Sequence, residues 1–448
     1  MADASAQTNV VTLKRALGTP SLVLLGLVYM VPLTIFTTYG IVTEITGGRL
    51  PLAYTVTLVA MLFTARSYGR MARAYPTAGS AYTYSRGAFG GTAGFLTGWA
   101  LMLDYLLLPM INYLVIGIYL QAAFPAVPAW VFIVGSVVLV TALNIFGIVT
   151  VARANYLIIG AQAVFIVVFV ILAVVGLSGS GQVDLLAPFV GDGSAGGVGP
   201  LLSGAAILCL SFLGFDAVST FAEEARESKR VVPRAIMQTT FIAGALFIGL
   251  AYISYLVLPT TSFADVDSAA VEVMMQAGGT FLAAFFTAAY VAGSLGSALT
   301  SQAAVSRIIY AMGRDGVLPR RFFGRLSARW QSPVAGIAMT SAVGLLALVL
   351  DLGTVASLIS FGALAAFSLV NLAVAKHYFV DLKERSGGAV MNNLVIPGIG
   401  FAITVWLWTS LSGAALVVGL VWVALGALWI AVVTGGFRRP VPQLEGLD

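Results

Sequence analysis

Residues 21–43 and 386–437 contain no charged side chain, and over residues 87–152 the only one is Asp104. A helix needs about 20 apolar residues to cross the roughly 30 Å hydrocarbon core of a bilayer. Runs this long leave a water-soluble fold exposing apolar surface far beyond the few hundred Å² that monomers tolerate. Composition agrees: of 448 residues, 59% are hydrophobic and 9% are charged, against about 25% charged in soluble domains. The chain reads as an all-α polytopic membrane protein.

Twelve spans are expected. Residues 21–43 form the first, and Leu50 begins a shorter second. Pro125 and Pro128 divide residues 87–152 into two more. Further spans lie near 154–178, 199–224, 234–259, 278–311, 333–351 and 353–379, and the Ser410-Leu411-Ser412-Gly413 turn divides 386–437 into a final pair. Cytoplasmic loops of membrane proteins collect Lys and Arg. With the N-terminus inside, the inner segments are 1–19, 66–88, 149–153, 225–233, 312–332, 376–391 and 435–448. Of 23 Lys and Arg, Arg49 alone then falls outside, whereas Asp184, Asp192, Asp265, Asp267, Glu272 and Asp351 lie in outer loops. Both termini are therefore expected in the cytoplasm of a plasma-membrane protein. The net charge of +5 is topological and calls for no nucleic-acid partner. Arg314, Arg320, Arg321, Arg325 and Arg329 read as one such loop, set against anionic lipid.

Asp104 in the third span and Asp216 in the sixth are the deep charges. A carboxylate at the bilayer centre costs about 2.5–3.5 kcal/mol on insertion scales, and no Lys or Arg lies deep enough to neutralise either. Two such acids call for a cation from outside the chain, a small amine or a proton. The first span is interrupted at Tyr29-Met30-Val31-Pro32, where proline removes a backbone donor. The sixth can break at Gly214, two residues before Asp216. Irregular backbone at this depth is tolerated only against protein or a watery cavity. Breaks five spans apart suggest an inverted repeat with a midplane site. The expected layout is an N-terminal tail (1–19), a first repeat (20–178), a second repeat (199–380), two added spans (392–434) and a C-terminal tail (435–448).

Several segments resemble the amino acid–polyamine–organocation transporter superfamily. They are Arg73 to Tyr84 (RAYPTAGSAYTY) with Gly94 to Trp99 (GFLTGW), Phe212 to Thr220 (FLGFDAVST) with Glu223 and Glu224, and Ser306 to Gly316 (SRIIYAMGRDG) with Leu318-Pro319. Within it, Gly26 to Gly40 (GLVYMVPLTIFTTYG) and Leu103 to Asn112 (LDYLLLPMIN) most resemble bacterial putrescine importers. In the amino acid carriers a glycine-rich break in the first span offers free amides to a substrate carboxylate. Here that place holds Met30, Val31 and Pro32, which suits a diamine. The chain departs from its models at Thr37, where the importers carry an acid. It departs again at Gln162, where several proton-coupled relatives have lysine at a vestigial sodium site.

The resemblance implies import of putrescine or a similar diamine, proton-coupled, by alternating access; amino acid permeation is the alternative. Asp216 would receive one ammonium, and Asp104 the second or the coupling proton. Tyr29, Phe212 and Phe215 would offer aromatic faces, with backbone carbonyls from Val28 to Pro32 and at Gly214. Glu223 and Glu224, near Arg226, Lys229, Arg230 and Arg234, would form a cytoplasmic gate. Cys209 and His377, the single cysteine and histidine, give no basis for a disulfide or a metal cluster. Gly90-Gly91-Thr92-Ala93-Gly94 follows no strand and is no dinucleotide motif. No cofactor, enzymatic chemistry or obligate protein partner is expected.

Overall fold

The computed structural model describes residues 17–76, 80–146, 151–179, 183–222, 224–314, 316–330, 332–436 and 438, with side chains described outside 151–156. Nearly all of the tail 1–19, Glu223 and most of 435–448 lie outside the described residues. Eleven helical stretches are long and apolar enough to cross a bilayer, and a twelfth, Val334–Leu348, is apolar but shorter.

The first span is α1 (Thr19–Tyr29), a 3-10 turn (Pro32–Thr37) and α2 (Tyr39–Thr46). Then come α3 (Leu50–Ala74), α4 (Ser80–Phe89), α5 (Gly91–Ala123), α6 (Ala129–Phe146) and α7 (Val151–Gly179). After the short α8 (Ala187–Val190), the sixth span opens with α9 (Gly199–Ile207) and closes with a 3-10 turn (Ala217–Phe221). The seventh and eighth are α10 (Ser228–Val257) and α11 (Ala269–Arg314). Gly278 and Gly279 depart from helical geometry and turn α11 sharply, so its membrane part starts after them. The chain ends with α12 (Arg320–Phe323), α13 (Val334–Gly344), α14 (Leu352–Val374), α15 (Gly387–Val390), α16 (Ile396–Thr409) and α17 (Gly413–Val433). Prolines at the first turns of α1, α3, α9 and α16 cost no helical hydrogen bond there. Asp351 caps α14 by accepting the Thr354 amide at 2.8 Å.

Two pairings build the bundle: α3 lies along α10, and α5 along α11 and α14. The last span is pinned by a reciprocal clasp. Trp99 and Trp422 stack with centroids 4.9 Å apart, and each indole N–H donates to the other's carbonyl, at 2.9 and 2.7 Å.

Segment 66–88 corrects the expected inner loop. α3 continues through Ala74, and α4 buries Ser80, Ala81 and Tyr84. The arginines accommodate this by reaching the surface along the protein. Arg70 stacks over Tyr378 at 4.2 Å and pairs with Glu384 at 3.8 Å.

Candidate substrate site

Both predicted interruptions are present, and they meet. Val31 takes φ 49°, so the chain leaves α1 abruptly before Pro32. Across from it, Leu213 is extended and Gly214 has φ 124°, a conformation that needs glycine. Glycine is needed for space too: a Cβ there would lie 2.8 Å from Tyr29 Cδ1 and 2.9 Å from Met30 Cγ. The two turns therefore pack closely, Gly214 against Tyr29 and Met30.

Several amides of these breaks are engaged. Met30, Val31 and Thr34 donate to the carbonyls of Gly26, Val28 and Val31, and the Thr34 hydroxyl turns back to Met30. Pro32 has no amide to offer. In the sixth span, Leu213 and Phe215 donate to Leu210 and Phe212, and the Gly214 amide donates to Asp216 Oδ1 at 3.2 Å. Pro32 and these engaged groups leave few N–H donors in the first-span break for a carboxylate. The site also has fewer free carbonyls than expected, since those of Val28, Met30 and Val31 each already accept a bond.

Asp104 is 5% exposed and Asp216 8%. They lie within electrostatic reach of each other and of Tyr29. The ion pairs among the described residues involve Arg70, Arg230 and Lys376 and include neither aspartate. Asp104 Oδ1 has no hydrogen-bond partner. Around Asp216 gather Ser80, Tyr68 and Tyr84, with Ser80 close to both Asp216 and Tyr68, and Tyr84 close to Ser219. Ser80, Tyr68, Tyr84 and Tyr105 are the site residues that sequence reasoning missed. Their signal was faint: tyrosines in a segment expected to be a loop or in a uniformly apolar span.

The predicted aromatic residues divide. Phe215 closes the cluster, 5.5 Å from Tyr68 and 5.1 Å from Phe367 by ring centroids. Phe212 turns the other way and packs on Phe247 and Tyr54, at 5.5 and 6.5 Å. Here its ring is fully buried among these neighbours. The 3-10 winding at Leu208–Phe212 puts it on the face toward α3 and α10. Tyr29 is 47% exposed and lines two cavities that share Val31, Leu108 and Ser297.

The smaller cavity, about 60 Å³, reaches Thr37, Asn112 and Tyr290. It is roofed where Thr37 hydrogen-bonds Tyr290 and where Phe36, Tyr119 and Phe286 pack edge to face. The larger, about 230 Å³, runs between the early turns of α7 and the late turns of α11, past Gln162, Thr300 and Ser301. It lies toward the face where α1 begins and α11 ends. Gln162 donates to the Ala289 carbonyl at 3.4 Å and packs on Gly293. On the face where α1 begins, Leu17 donates to the Glu224 carbonyl at 3.0 Å and accepts from Arg226 at 2.9 Å. The Glu224 side chain enters no ion pair among the described residues, while Glu227 pairs with Arg230 at 3.8 Å.

Two broken spans in contact, with unneutralised acids beside the breaks and cavities lined by the first of them, define a multi-pass membrane carrier. Comparison with known proteins assigns the kind. The amino acid permease family model matches residues 21–443, and the chain belongs to that family, whose members are transporters. It is 40% identical to the low-affinity putrescine importer PlaP of Escherichia coli (strain K12), over 98% of both chains. It is 28% identical to the branched-chain amino acid permease BcaP of Bacillus subtilis (strain 168), over 93% of this chain and 92% of that protein. A methylthioribose transporter of the same Bacillus strain is 27% identical over 95% and 94% of the two chains.

Proposed function

We propose that this chain imports putrescine or a closely similar diamine across the plasma membrane by alternating access. One observation carries the reading: Asp104 and Asp216 are buried within reach of each other, and neither is paired with a base. The similarity to a putrescine importer along almost the full length supports it. Asp216, on the unwound turn, receives one ammonium, with Tyr29 and Phe215 beside it. Asp104 stands across the site as the acceptor for the second ammonium or for the coupling proton.

The working unit is two repeats of opposite topology, 20–178 and 199–380, with 392–434 added outside them. The corresponding pairings of α3 with α10 and α5 with α11, and the contact of the two broken spans, support this division. Rocking of one bundle against the other would open the site to each side in turn. In this reading the basic loops and both termini lie in the cytoplasm. An inside-negative potential contributes about 2.3 kcal/mol per charge per 100 mV, and so roughly twice that for a dication. Proton coupling would add to that drive.

Amino acid transport is the second reading, favoured by the resemblance to BcaP. Against it stands Pro32, which removes one backbone donor from the first-span break where an α-carboxylate would be held. Uptake of labelled putrescine into proteoliposomes tests the choice. Excess arginine, lysine or leucine should compete far less than unlabelled putrescine. Equal competition by any of them would make this an amino acid permease.

A further inference from the structure

Pro109 lies inside α5, one turn after Tyr105. Proline has no N–H, so the carbonyl four residues earlier loses its helical donor. That carbonyl belongs to Tyr105, the neighbour of Asp104. In the same turn Asp104 Oδ1 is buried without a partner. Tyr105 itself lies within electrostatic reach of Tyr29, Asp216 and Asp104. The far side of this turn is closed by α14. A Cβ on Gly362 would come 2.6 Å from the Ala100 carbonyl oxygen and 3.4 Å from the Asp104 amide, so no side chain from α14 can enter there to supply a base. One turn of α5 thus offers two acceptors, one ionisable and one from the backbone, and carries no basic side chain.

We infer that the Asp104 carboxylate and the Tyr105 carbonyl, left free by Pro109, together form the seat of the second ammonium group, which selects diamines over monoamines. The inference rests on the diamine reading and refines it. A tetrahedral –NH₃⁺ carries three donors and can bridge carboxylate and carbonyl, with the Tyr105 ring beside it. A monoamine of equal length would leave both acceptors empty in a dry site, a cost that an apolar methyl terminus cannot offset.

The test measures inhibition of labelled putrescine uptake by unlabelled putrescine and by butylamine, which has the same carbon chain and one amine. Pro109→Ala and Pro109→Gly both give the Tyr105 carbonyl an N–H partner; alanine also straightens the helix, whereas glycine leaves it pliable. In both, the ratio of butylamine to putrescine half-inhibitory concentrations should fall about tenfold, as for one lost charge-assisted hydrogen bond. Asp104→Asn should lower it at least as much. A ratio unchanged in both proline variants, or equal weakening of the two amines, overturns the inference and leaves Pro109 a helix-shaping residue. If the wild-type chain takes up no putrescine, the diamine reading itself fails, and the two failures are thereby told apart.

Discussion

Replacing Asp216 by asparagine removes a charge while preserving the turn that presents it. Oδ1 of Asp216 accepts the Gly214 amide at 3.2 Å, and its backbone carbonyl accepts the Ser219 amide at 3.0 Å and hydroxyl at 2.6 Å. Asparagine keeps an acceptor oxygen and the same carbonyl, so the break in the sixth span should survive. What disappears is the charged partner of an ammonium. A hydrogen bond to a charged group contributes about 1.5–3 kcal/mol, which corresponds to about tenfold to 150-fold in Kd. Equilibrium binding of labelled putrescine to purified protein would measure this directly, with thermal melting of the ligand-free protein as the control. Melting should hold or rise, since the substitution relieves a buried carboxylate of its unpaired charge. A Kd within twofold of wild type, with melting unchanged, would show that Asp216 is a structural hydrogen-bonding group and that the ammonium binds elsewhere.

Gly214→Ala should lower both melting temperature and putrescine binding. Alanine at φ 124° is strained by about 1–3 kcal/mol, and its methyl meets Tyr29 and Met30 at 2.8 and 2.9 Å; unchanged melting would refute the close contact of the breaks. Tyr290→Phe removes the bond to Thr37 that closes the roof. A loss of about 1 kcal/mol shifts the balance of states roughly fivefold toward outward opening. With Cys209 replaced by serine, a cysteine at Asn112 should then react faster with impermeant thiol reagents added from outside, and an unaltered rate would place the closure elsewhere. Asp192, in the loop between α8 and α9, accepts from Ser194 and Thr261, which hold its carboxyl down at about 2. Because the folded value lies below the usual ~3.9, the stabilisation is complete above that value and is lost only as pH falls through about 2. The pH profile of uptake from pH 5 to 8 should therefore be the same in Asp192→Asn; a shifted midpoint would overturn this.

The readable features were exceptions to an apolar background. Asp104, Asp216, Pro32 and Gly214 stand out because lipid penalises charge and broken backbone, and the structure puts all four at or beside the two breaks. Tyr68, Tyr84 and Tyr105 did not stand out, because a tyrosine in a membrane helix commonly packs or sits at the interface. α5 is apolar on every side, so its sequence does not say which face turns toward α14. Arg66, Arg70, Arg73 and Arg86 made 66–88 look like a loop, when their long side chains let α3 and α4 stay helical and bring Tyr68, Ser80 and Tyr84 to Asp216.

The tie between Leu17 and the segment 224–226 is made wholly of main-chain groups. Such a fastening carries no charge, so neither proton concentration nor ionic strength will loosen it, unlike a closure built from glutamates and arginines. It is also blind to side-chain identity: proline at position 17 or 226, which deletes a donor, is the substitution that cuts it. The N-terminal end of the first span and the C-terminal end of the sixth are thereby tied to each other, main chain to main chain.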